Sequence, residues 1–326
     1  ADLIPRLSDQ IALTDKSTWL DISKMILSIL ARKAEISDVN RSGIEKILMN
    51  TCRKGVTSES VLVQSCNIIA FLSYETENFT ELDPILRIIV SMSDSEEIIE
   101  SASVALYNVS CNPNISPILL KDESYLNLMI RMMRVGRASV QVTMGETFRN
   151  LCKLSECIKL LLGGRGDIIS DFIAIALLRT SSTEVKIVCM QAFFNIFCHN
   201  DVRLQLLKGD LWWSMMRLAR TDIKPVQHIG ASALFQLCIA GHLYGEILRD
   251  LHIFNFIRDI ISMSDEDLMG RYMLSIEYLL CEFANLQQAE LVSVLEASCH
   301  CMRYSSKKNV IAGAIRASVK CAVSFE

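Results

Sequence analysis

The chain has 326 residues, of which 51% are apolar and only 13 are Gly and 5 are Pro. A disordered chain is not this apolar, and the composition is typical of helices or strands that are buried on more than one side. The net charge of -4 provides no overall basic field, so we expect no nucleic-acid partner. The apolar runs fall well short of the roughly 18 residues that span a bilayer, so we also expect no membrane span.

The first predicted element is an apolar helix at Trp19–Arg32. It precedes a series of similar segments, and we interpret it as the last helix of an eighth, incomplete repeat that caps the front of an array. This interpretation divides the chain into an N-terminal extension with a capping helix at 1–37 and a repeat array at 38–326.

Seven segments of one type follow along the chain. In a common register they are VLVQSCNIIAFL (61–72), IIESASVALYNV (98–109), VQVTMGETFRNL (140–151), VKIVCMQAFFNI (185–196), VQHIGASALFQL (226–237), LMGRYMLSIEYL (268–279) and VIAGAIRASVKC (310–321). The last residue of each is an anchor position, and successive anchors are 37, 42, 45, 41, 42 and 42 residues apart. A fixed period of this length indicates a repeat architecture.

Apolar residues within each segment recur at helical spacing. The position eleven residues before the anchor is apolar in all seven segments, and the position three before it is apolar in six. Offsets of 0, 3 and 11 share one face of a 3.6-residue helix, so each segment is predicted to be a helix with one buried face. Small residues between these positions, such as Ala105 and Ala233, predict a close approach of neighbouring helices.

Each long helix is preceded by further helical signals. Ser93-x-x-Glu96 and Ser181-x-x-Glu184 are typical of capping boxes, and Ser264-x-x-Asp267 is similar. The predicted middle helices are Ile44–Thr51, Leu82–Ser91, Tyr125–Arg134, Ile168–Arg179, Leu211–Arg220, Phe254–Ser262 and Ala289–Ser298. Shorter helices are predicted before four of them, at Ile115–Leu120, Cys157–Leu162, Val202–Leu207 and Tyr244–Arg249. One period therefore contains a short, a middle and a long third helix.

A period near 42 with three helices resembles the armadillo repeat family. The third helix of that family typically reads small-x-x-Ala-Leu-x-Asn-Leu, and ASVALYNV (102–109) and ASALFQL (231–237) are similar to it. The resemblance covers roughly residues 38–324. It implies an all-α fold, a right-handed α-solenoid of about seven three-helix repeats whose third helices line a concave groove. HEAT repeats, with two helices per period, are the structural alternative.

Twelve cysteines are distributed along the chain, most of them inside apolar helical segments. Free Cys behaves as a small buried hydrophobic residue, so we expect unpaired thiols and a reducing, cytoplasmic location. The nucleus and the axoneme or cytoskeleton are compatible with the same chemistry.

Signals for catalysis or cofactor binding are weak. Cys299-His300-Cys301 is the nearest approach to a metal site, and it lacks a second ligand pair at suitable spacing. No nucleophile-elbow, zinc-protease or phosphate-binding motif occurs in the sequence. We therefore expect no enzyme activity, no metal and no cofactor.

The position just before the anchor is the main candidate for function. In armadillo proteins that bind extended peptides, an Asn at this position lies on the concave surface and hydrogen-bonds the peptide backbone. The resemblance thus implies a ladder of amides in four consecutive repeats. Further groove candidates stand four residues before an amide, or directly beside one. These candidates are Asn108, Glu146, Arg149, Asn150, Gln191, Asn195, Ser232 and Gln236. The alternative is that the amides cap neighbouring helix ends or form hydrogen bonds across repeats.

Two further features limit the choice of partner. Importin-alpha-like receptors have Trp four residues before the Asn, and Val104, Glu146, Gln191 and Ser232 stand there instead, so the groove is not of the importin-alpha type. Residues 131–165 contain seven basic and two acidic side chains, which favours a partner with an acidic extended segment.

A second candidate surface involves the adjacent residues Trp212 and Trp213 on a predicted middle helix. Neighbouring residues point about 100° apart on a helix, so both indoles cannot face the same core. We expect one of them to be partly exposed, as in a contact surface.

The leading functional hypothesis is a non-enzymatic scaffold or adaptor that binds an extended partner segment along the groove. The alternatives are a permanent component of a large ciliary or cytoskeletal assembly, or the regulatory armadillo domain of a longer protein.

Overall fold

The computed structural model describes residues 16–31, 43–49, 58–75, 86, 91, 95–163, 167–178, 181–207, 211–239, 241–283 and 285–323. Within these ranges every regular element is an α-helix and no strand occurs. The helices are α1 (Lys16–Ala31), α2 (43–49), α3 (Glu59–Glu75), α4 (Glu96–Ser110), α5 (Ser116–Leu120), α6 (Glu123–Val135), α7 (Ala138–Leu151), α8 (Ser155–Gly163), α9 (Asp167–Leu177), α10 (Thr183–Phe197), α11 (Asn200–Leu207), α12 (Leu211–Ala219), α13 (Lys224–Ile239), α14 (Gly241–Asp250), α15 (Ile253–Ile261), α16 (Glu266–Glu282), α17 (Gln288–Tyr304) and α18 (Lys308–Val323).

The seven predicted third helices are confirmed as α3, α4, α7, α10, α13, α16 and α18. Their anchor side chains, from Leu72 to Cys321, are all buried, because the helical spacing of the apolar residues places them on one face. The predicted front helix is α1, which packs against α3. Most of the predicted middle helix at 82–91 lies outside the described residues.

Short and middle helices precede the third helix as predicted in the repeats that end with α7, α10, α13 and α16. The last repeat differs, because a single helix, α17, takes the place of both. The sequence predicted this helix to end at Ser298, but it continues to Tyr304 and ends where Ser305 adopts extended backbone. Cys301 lies in the added turn and is buried, which explains why the helix continues.

Small side chains allow the helices of the array to approach closely. Ala105 and Ala233 are completely buried. A Cβ atom placed on Gly230 would lie 3.0 Å from the Cβ of Ala219 on α12 and 3.4 Å from the Cε of Met190 on α10. The third helix α13 therefore packs on two helices at distances that only a small residue permits.

The predicted helix starts are wrong by one residue in two repeats, and by two residues in a third, where the N-cap of α4 is Ser95 rather than Ser93. The N-cap of α10 is Ser182 rather than Ser181, and its hydroxyl accepts a hydrogen bond from the backbone N–H of Val185 at 3.3 Å. The N-cap of α16 is Asp265 rather than Ser264, and the N–H of Leu268 donates to its carboxylate at 3.1 Å. This backbone hydrogen bond lowers the pKa of Asp265. A carboxylate at a helix N-terminus also interacts favourably with the helix dipole, which favours Asp over the preceding Ser.

The chain divides into two compact units, Ala1–Ile175 and Ala176–Glu326. The first contains α1 to α8 and most of α9, and the second contains α10 to α18. The boundary proposed from the sequence at residue 37 remains a prediction, because residues 32–42 lie outside the described part of the chain.

None of the cysteines within the described residues forms a disulfide bond. Seven are buried, whereas Cys111, Cys198, Cys281 and Cys299 are exposed. Burial raises the pKa of both Cys189 and Cys238 to about 12, from an ordinary value of 9.0. Buried thiols of this kind stay protonated at neutral pH and react slowly.

Thiol titration should therefore proceed in two stages. At about pH 8, Cys111, Cys198, Cys281 and Cys299 should react rapidly in the native protein, whereas the seven buried cysteines of the described residues should react slowly. Denaturation without reductant should bring the total close to the twelve cysteines of the sequence. A denatured total of eight or fewer would contradict the assignment of unpaired thiols.

The same buried thiols predict a loss of stability in alkali. The pKa of Cys189 and of Cys238 is higher in the folded than in the unfolded state. At pH values between the two pKa values, the folded state therefore binds more protons than the unfolded state. The stabilisation is complete below pH 9 and is lost as the pH rises from about 9 to about 12. We expect Cys189→Ala with Cys238→Ala to reduce this slope in denaturation titrations, and an unchanged slope would contradict the assignment.

Candidate functional site

In the first unit, the two predicted amides bind the preceding repeat. The side-chain N–H of Asn108 on α4 donates to the carbonyl oxygen of Ala70 on α3 at 2.8 Å. Asn150 on α7 is only 7% exposed, and its N–H donates to the hydroxyl of Ser110 at 3.2 Å. Its amide oxygen accepts from Nζ of Lys153 at 2.9 Å. Both amides thus connect consecutive third helices.

The charged groove candidates of the first unit bind each other. Arg149 forms an ion pair with Glu146 one turn earlier on α7, and both side chains are half-buried. The charges of Arg149 and Glu146 therefore largely neutralise each other. Tyr107 on α4 interacts electrostatically with both side chains. Its pKa is raised, first by the interaction with Cys111, then by burial and by the negative charge of Glu146.

In the second unit, the predicted candidates lie at equivalent positions of consecutive third helices. Gln191 and Asn195 are half-buried on α10, and Ser232 and Gln236 are half-buried on α13. Helices α10 and α13 pack directly against each other, so these four side chains form one surface. Gln236 forms no side-chain hydrogen bond with any residue that the structure describes.

Two apolar side chains continue this surface on α16, and the sequence reasoning missed them. Leu274 and Tyr278 occupy the same repeat positions as Ser232 and Gln236, and they are 42% and 40% exposed. The ring of Tyr278 packs edge to face on Phe235 of α13, with centroids 5.4 Å apart. The register alone could have located them, but the candidates came only from the four repeats with an amide just before the anchor, and α16 has Tyr278 there. We name Gln191, Asn195, Ser232, Gln236, Leu274 and Tyr278 the third-helix surface.

One positive charge borders the third-helix surface. Arg271 on α16 is exposed, and its Nη1 donates to the hydroxyl of Ser232 at 2.9 Å. Arg316 on the next third helix, α18, makes two hydrogen bonds with Glu277 at 2.8 and 3.1 Å. The charge of Arg316 is therefore compensated, whereas that of Arg271 is met by a neutral hydroxyl.

The stretch of basic residues at 131–165 is partly neutralised in the structure. Arg134 pairs with Asp171, and Arg137 pairs with Glu96. With the Arg149–Glu146 pair, at least three of the seven basic side chains bind acidic residues. The positive electrostatic potential that these residues present to a partner is therefore weaker than their number in the sequence indicates.

Arg203 is an unusual buried charge in the second unit. Its side chain on α11 is almost completely buried, and its Nη1 donates to the carbonyl oxygen of Gln236 at 3.3 Å. That carbonyl lies in the last turn of α13, where helix carbonyls lack intrahelical partners and the dipole is negative. Burial lowers the pKa of Arg203. The helix C-terminus thus holds the guanidinium, which connects α11 to α13.

The two tryptophans point in different directions, as predicted. Trp212 is completely buried and packs edge to face on Phe256 with centroids 6.2 Å apart, whereas Trp213 is 48% exposed. Both lie on the middle helix α12. Trp213 is therefore available as a separate contact point in the second unit.

Comparisons with known proteins address the fold. No protein-family model matches the sequence, and no curated protein matches it significantly. Among solved structures, a designed armadillo repeat protein is similar with a TM-score of 0.53 and 20% identity, over 72% of this chain and 99% of that one. Armadillo proteins designed computationally for modular peptide recognition give a TM-score of 0.53 at 16% identity, over 71% and 99%. An engineered protein gives a TM-score of 0.55 at 15% identity, over 98% and 84%.

At this low identity, the similarities show the fold. An armadillo fold agrees with the third helices that recur at equivalent positions and with the three-helix repeats of the described residues. Within the described residues, no helix is both long enough and apolar enough to cross a membrane. The chain therefore has the all-α fold of armadillo repeat proteins.

Proposed function

We propose that this chain is a non-enzymatic scaffold or adaptor that binds an extended segment of a partner protein on the third-helix surface of its second unit. The observation that supports this proposal most is the repetition of half-buried or exposed side chains at the same two positions of α10, α13 and α16. Similar structures include armadillo proteins designed for modular peptide recognition, which supports this proposal.

The spacing of the surface fits an extended chain. Neighbouring helices pack about 8–10 Å apart, and an extended chain advances about 3.3 Å per residue. Each repeat would therefore meet the partner about every third residue. An amide such as that of Gln236 can donate to and accept from a peptide backbone, while Leu274 and Tyr278 can bury an apolar side chain.

The proposal includes an acidic residue in the partner segment. Gln191, Asn195, Ser232, Gln236, Leu274 and Tyr278 carry no charge, and the neighbouring exposed cation is Arg271. A carboxylate on the partner could accept a charge-assisted hydrogen bond from its guanidinium. We further propose a cytoplasmic location, and no cofactor is needed for this role.

Acidic substitution of the apolar part of the surface should remove partner binding. We expect Leu274→Asp with Tyr278→Asp to weaken binding by roughly 10- to 100-fold, because both exposed side chains would lose apolar contacts. Partners would be recovered with the wild-type chain by affinity capture and mass spectrometry, and affinities would then be measured by titration calorimetry.

The matched control is Trp213→Asp, which alters an equally exposed aromatic residue on α12. It should retain the partner with nearly unchanged affinity. Loss of the partner in the control and retention in the Leu274 and Tyr278 variant would place the binding surface on the middle helices instead.

A permanent role in a large ciliary or cytoskeletal assembly is the second candidate. It is supported by the high apolar content and by exposed apolar residues on several helices, including Trp213 and Ile118. Light scattering with size-exclusion chromatography separates the two. A scaffold should form discrete soluble particles, whereas an obligate component should aggregate in isolation.

A further inference from the structure

Three of the exposed cysteines share one repeat position. Cys111, Cys198 and Cys281 each stand two residues after the anchor of a third helix. A nitrogen-bearing side chain interacts with each of them. The kind of nitrogen differs among the three, and it decides which thiol can form a new covalent bond.

Cys111 and Cys198 interact with nitrogens that are poor nucleophiles. The amide Nδ2 of Asn150 donates to Sγ of Cys111 at 3.4 Å, and an amide N–H₂ group acts only as a donor. Cys198 interacts electrostatically with Arg203, whose guanidinium keeps its proton. Burial also raises the pKa of Cys198, which makes its thiolate rarer.

Cys281 on α16 instead contacts a primary amine. Nζ of Lys320 on α18 donates to Sγ of Cys281 at 2.8 Å. Cys281 is exposed, so a small oxidant in solution can reach its sulfur, and Lys320 is half-buried. Two groups that are held within about 3.5 Å of each other are positioned to react, and such positioning accelerates bond formation greatly.

The register of α16 and α18 fixes this contact. Arg316 makes two hydrogen bonds with Glu277 at 2.8 and 3.1 Å, and these residues are 39 apart in sequence, as Lys320 and Cys281 are. Glu277 stands four residues before Cys281, and Arg316 stands four residues before Lys320. Two contacts one helical turn apart thus have the same offset. The thiol and the amine therefore meet because the two helices are aligned.

We propose that Cys281 and Lys320 form an oxidation site, at which a peroxide links the two side chains through a covalent S–N bond. In the first step hydrogen peroxide oxidises the thiol by two electrons to a sulfenic acid, S–OH, and is itself reduced, releasing one water. In the second step Nζ attacks the sulfur and the S–O bond breaks. The ammonium group gives up two protons, of which one leaves with the hydroxyl as water and the other passes to solvent.

The bond joins the third helices of consecutive repeats. It closes a loop of 39 residues, which restricts the unfolded chain and so stabilises the folded one. It also removes the positive charge of Lys320, which occupies the repeat position of Tyr278 on the third-helix surface. The modification requires no partner protein and is therefore independent of the proposed function.

Peptide mass spectrometry of the full chain tests the bond. The reduced protein would be treated with hydrogen peroxide at about pH 8, alkylated under denaturing conditions, and digested with trypsin and a Glu-specific protease. The wild type should yield peptides 278–282 and 317–326 joined with the loss of two hydrogen atoms. Trypsin should not cut after the modified Lys320, whereas it would cut there if the adjacent Cys321 had formed a disulfide. Treatment with dithiothreitol before digestion should separate the two peptides.

The matched variant is Lys320→Arg, because a guanidinium keeps the positive charge and the N–H donors but does not attack sulfur. It should give no linked peptide. Dimedone, which captures sulfenic acids, should label Cys281 at least about 5-fold more in the variant than in the wild type, because no amine consumes the sulfenic acid. Cys111 serves as the internal control and should be labelled equally in both proteins.

Three results would each overturn the proposal. One is an oxidised wild type without the linked peptide, and another is a linked peptide that persists in Lys320→Arg. The third is equal dimedone labelling of Cys281 in both proteins, which would show that the contact with Lys320 is a hydrogen bond only.

Discussion

Replacement of Asn150 by Ala is expected to lower the free energy of unfolding by about 1–3 kcal/mol. The side chain is buried and donates to Ser110 of the preceding third helix, so its removal breaks a contact between repeats. It also leaves Nζ of Lys153 without the amide oxygen that it binds. Equilibrium denaturation in urea would measure the loss.

The matched control for Asn150 is Gln236→Ala. Gln236 occupies the same repeat position, is half-buried, and has no side-chain hydrogen bond within the described structure. Its replacement should change stability by less than about 0.5 kcal/mol, as is usual for surface substitutions. Equal effects of the two substitutions would contradict the view that Asn150 stabilises the contact between consecutive repeats.

Enlargement of the small residues inside the third helices should be similarly destabilising. Ala105→Leu and Ala233→Leu are each expected to cost about 1–3 kcal/mol, because neither side chain has space around it. Ala138→Leu, at an exposed position of α7, is the control and should be nearly neutral. Melting temperatures that do not change for both buried variants would show that the repeat register is wrong.

The repeat architecture could be predicted because one physical requirement recurs along the chain. A third helix must bury one face in each repeat, and this requirement places an apolar anchor such as Leu151 or Leu237 about every 42 residues. Helix ends are less constrained. Ser181 and Ser182, or Ser264 and Asp265, are adjacent potential caps, and the choice depends on tertiary packing.

The partners of the amides could not be predicted from the sequence. An amide can bind a ligand or a neighbouring repeat with the same donor and acceptor. Asn150 binds within the array because Ser110 provides a hydroxyl on the preceding third helix. Leu274 and Tyr278 were not among the candidates because their repeat has Tyr278, and not an amide, just before the anchor. Whether the amides of α10 and α13 contact a ligand remains a proposal.

The charge pattern shows a similar difference between sequence and structure. Basic residues at 131–165 favoured an acidic partner, yet Arg134, Arg137 and Arg149 bind Asp171, Glu96 and Glu146. A count of charges in the sequence does not reveal which charges are neighbours in space, even when they are about one repeat apart along the chain. The proposal of an acidic partner residue therefore depends on Arg271 rather than on this stretch.

Site-specific photocrosslinking tests most directly whether a partner lies on the third-helix surface. The photoreactive residue p-benzoylphenylalanine would replace Tyr278 in one variant and Trp213 in another, since both side chains are aromatic and exposed to a similar degree. With the captured partner present, irradiation should crosslink it through position 278 and not through position 213. Crosslinking through position 213 alone would contradict the account and place the partner on the middle helices.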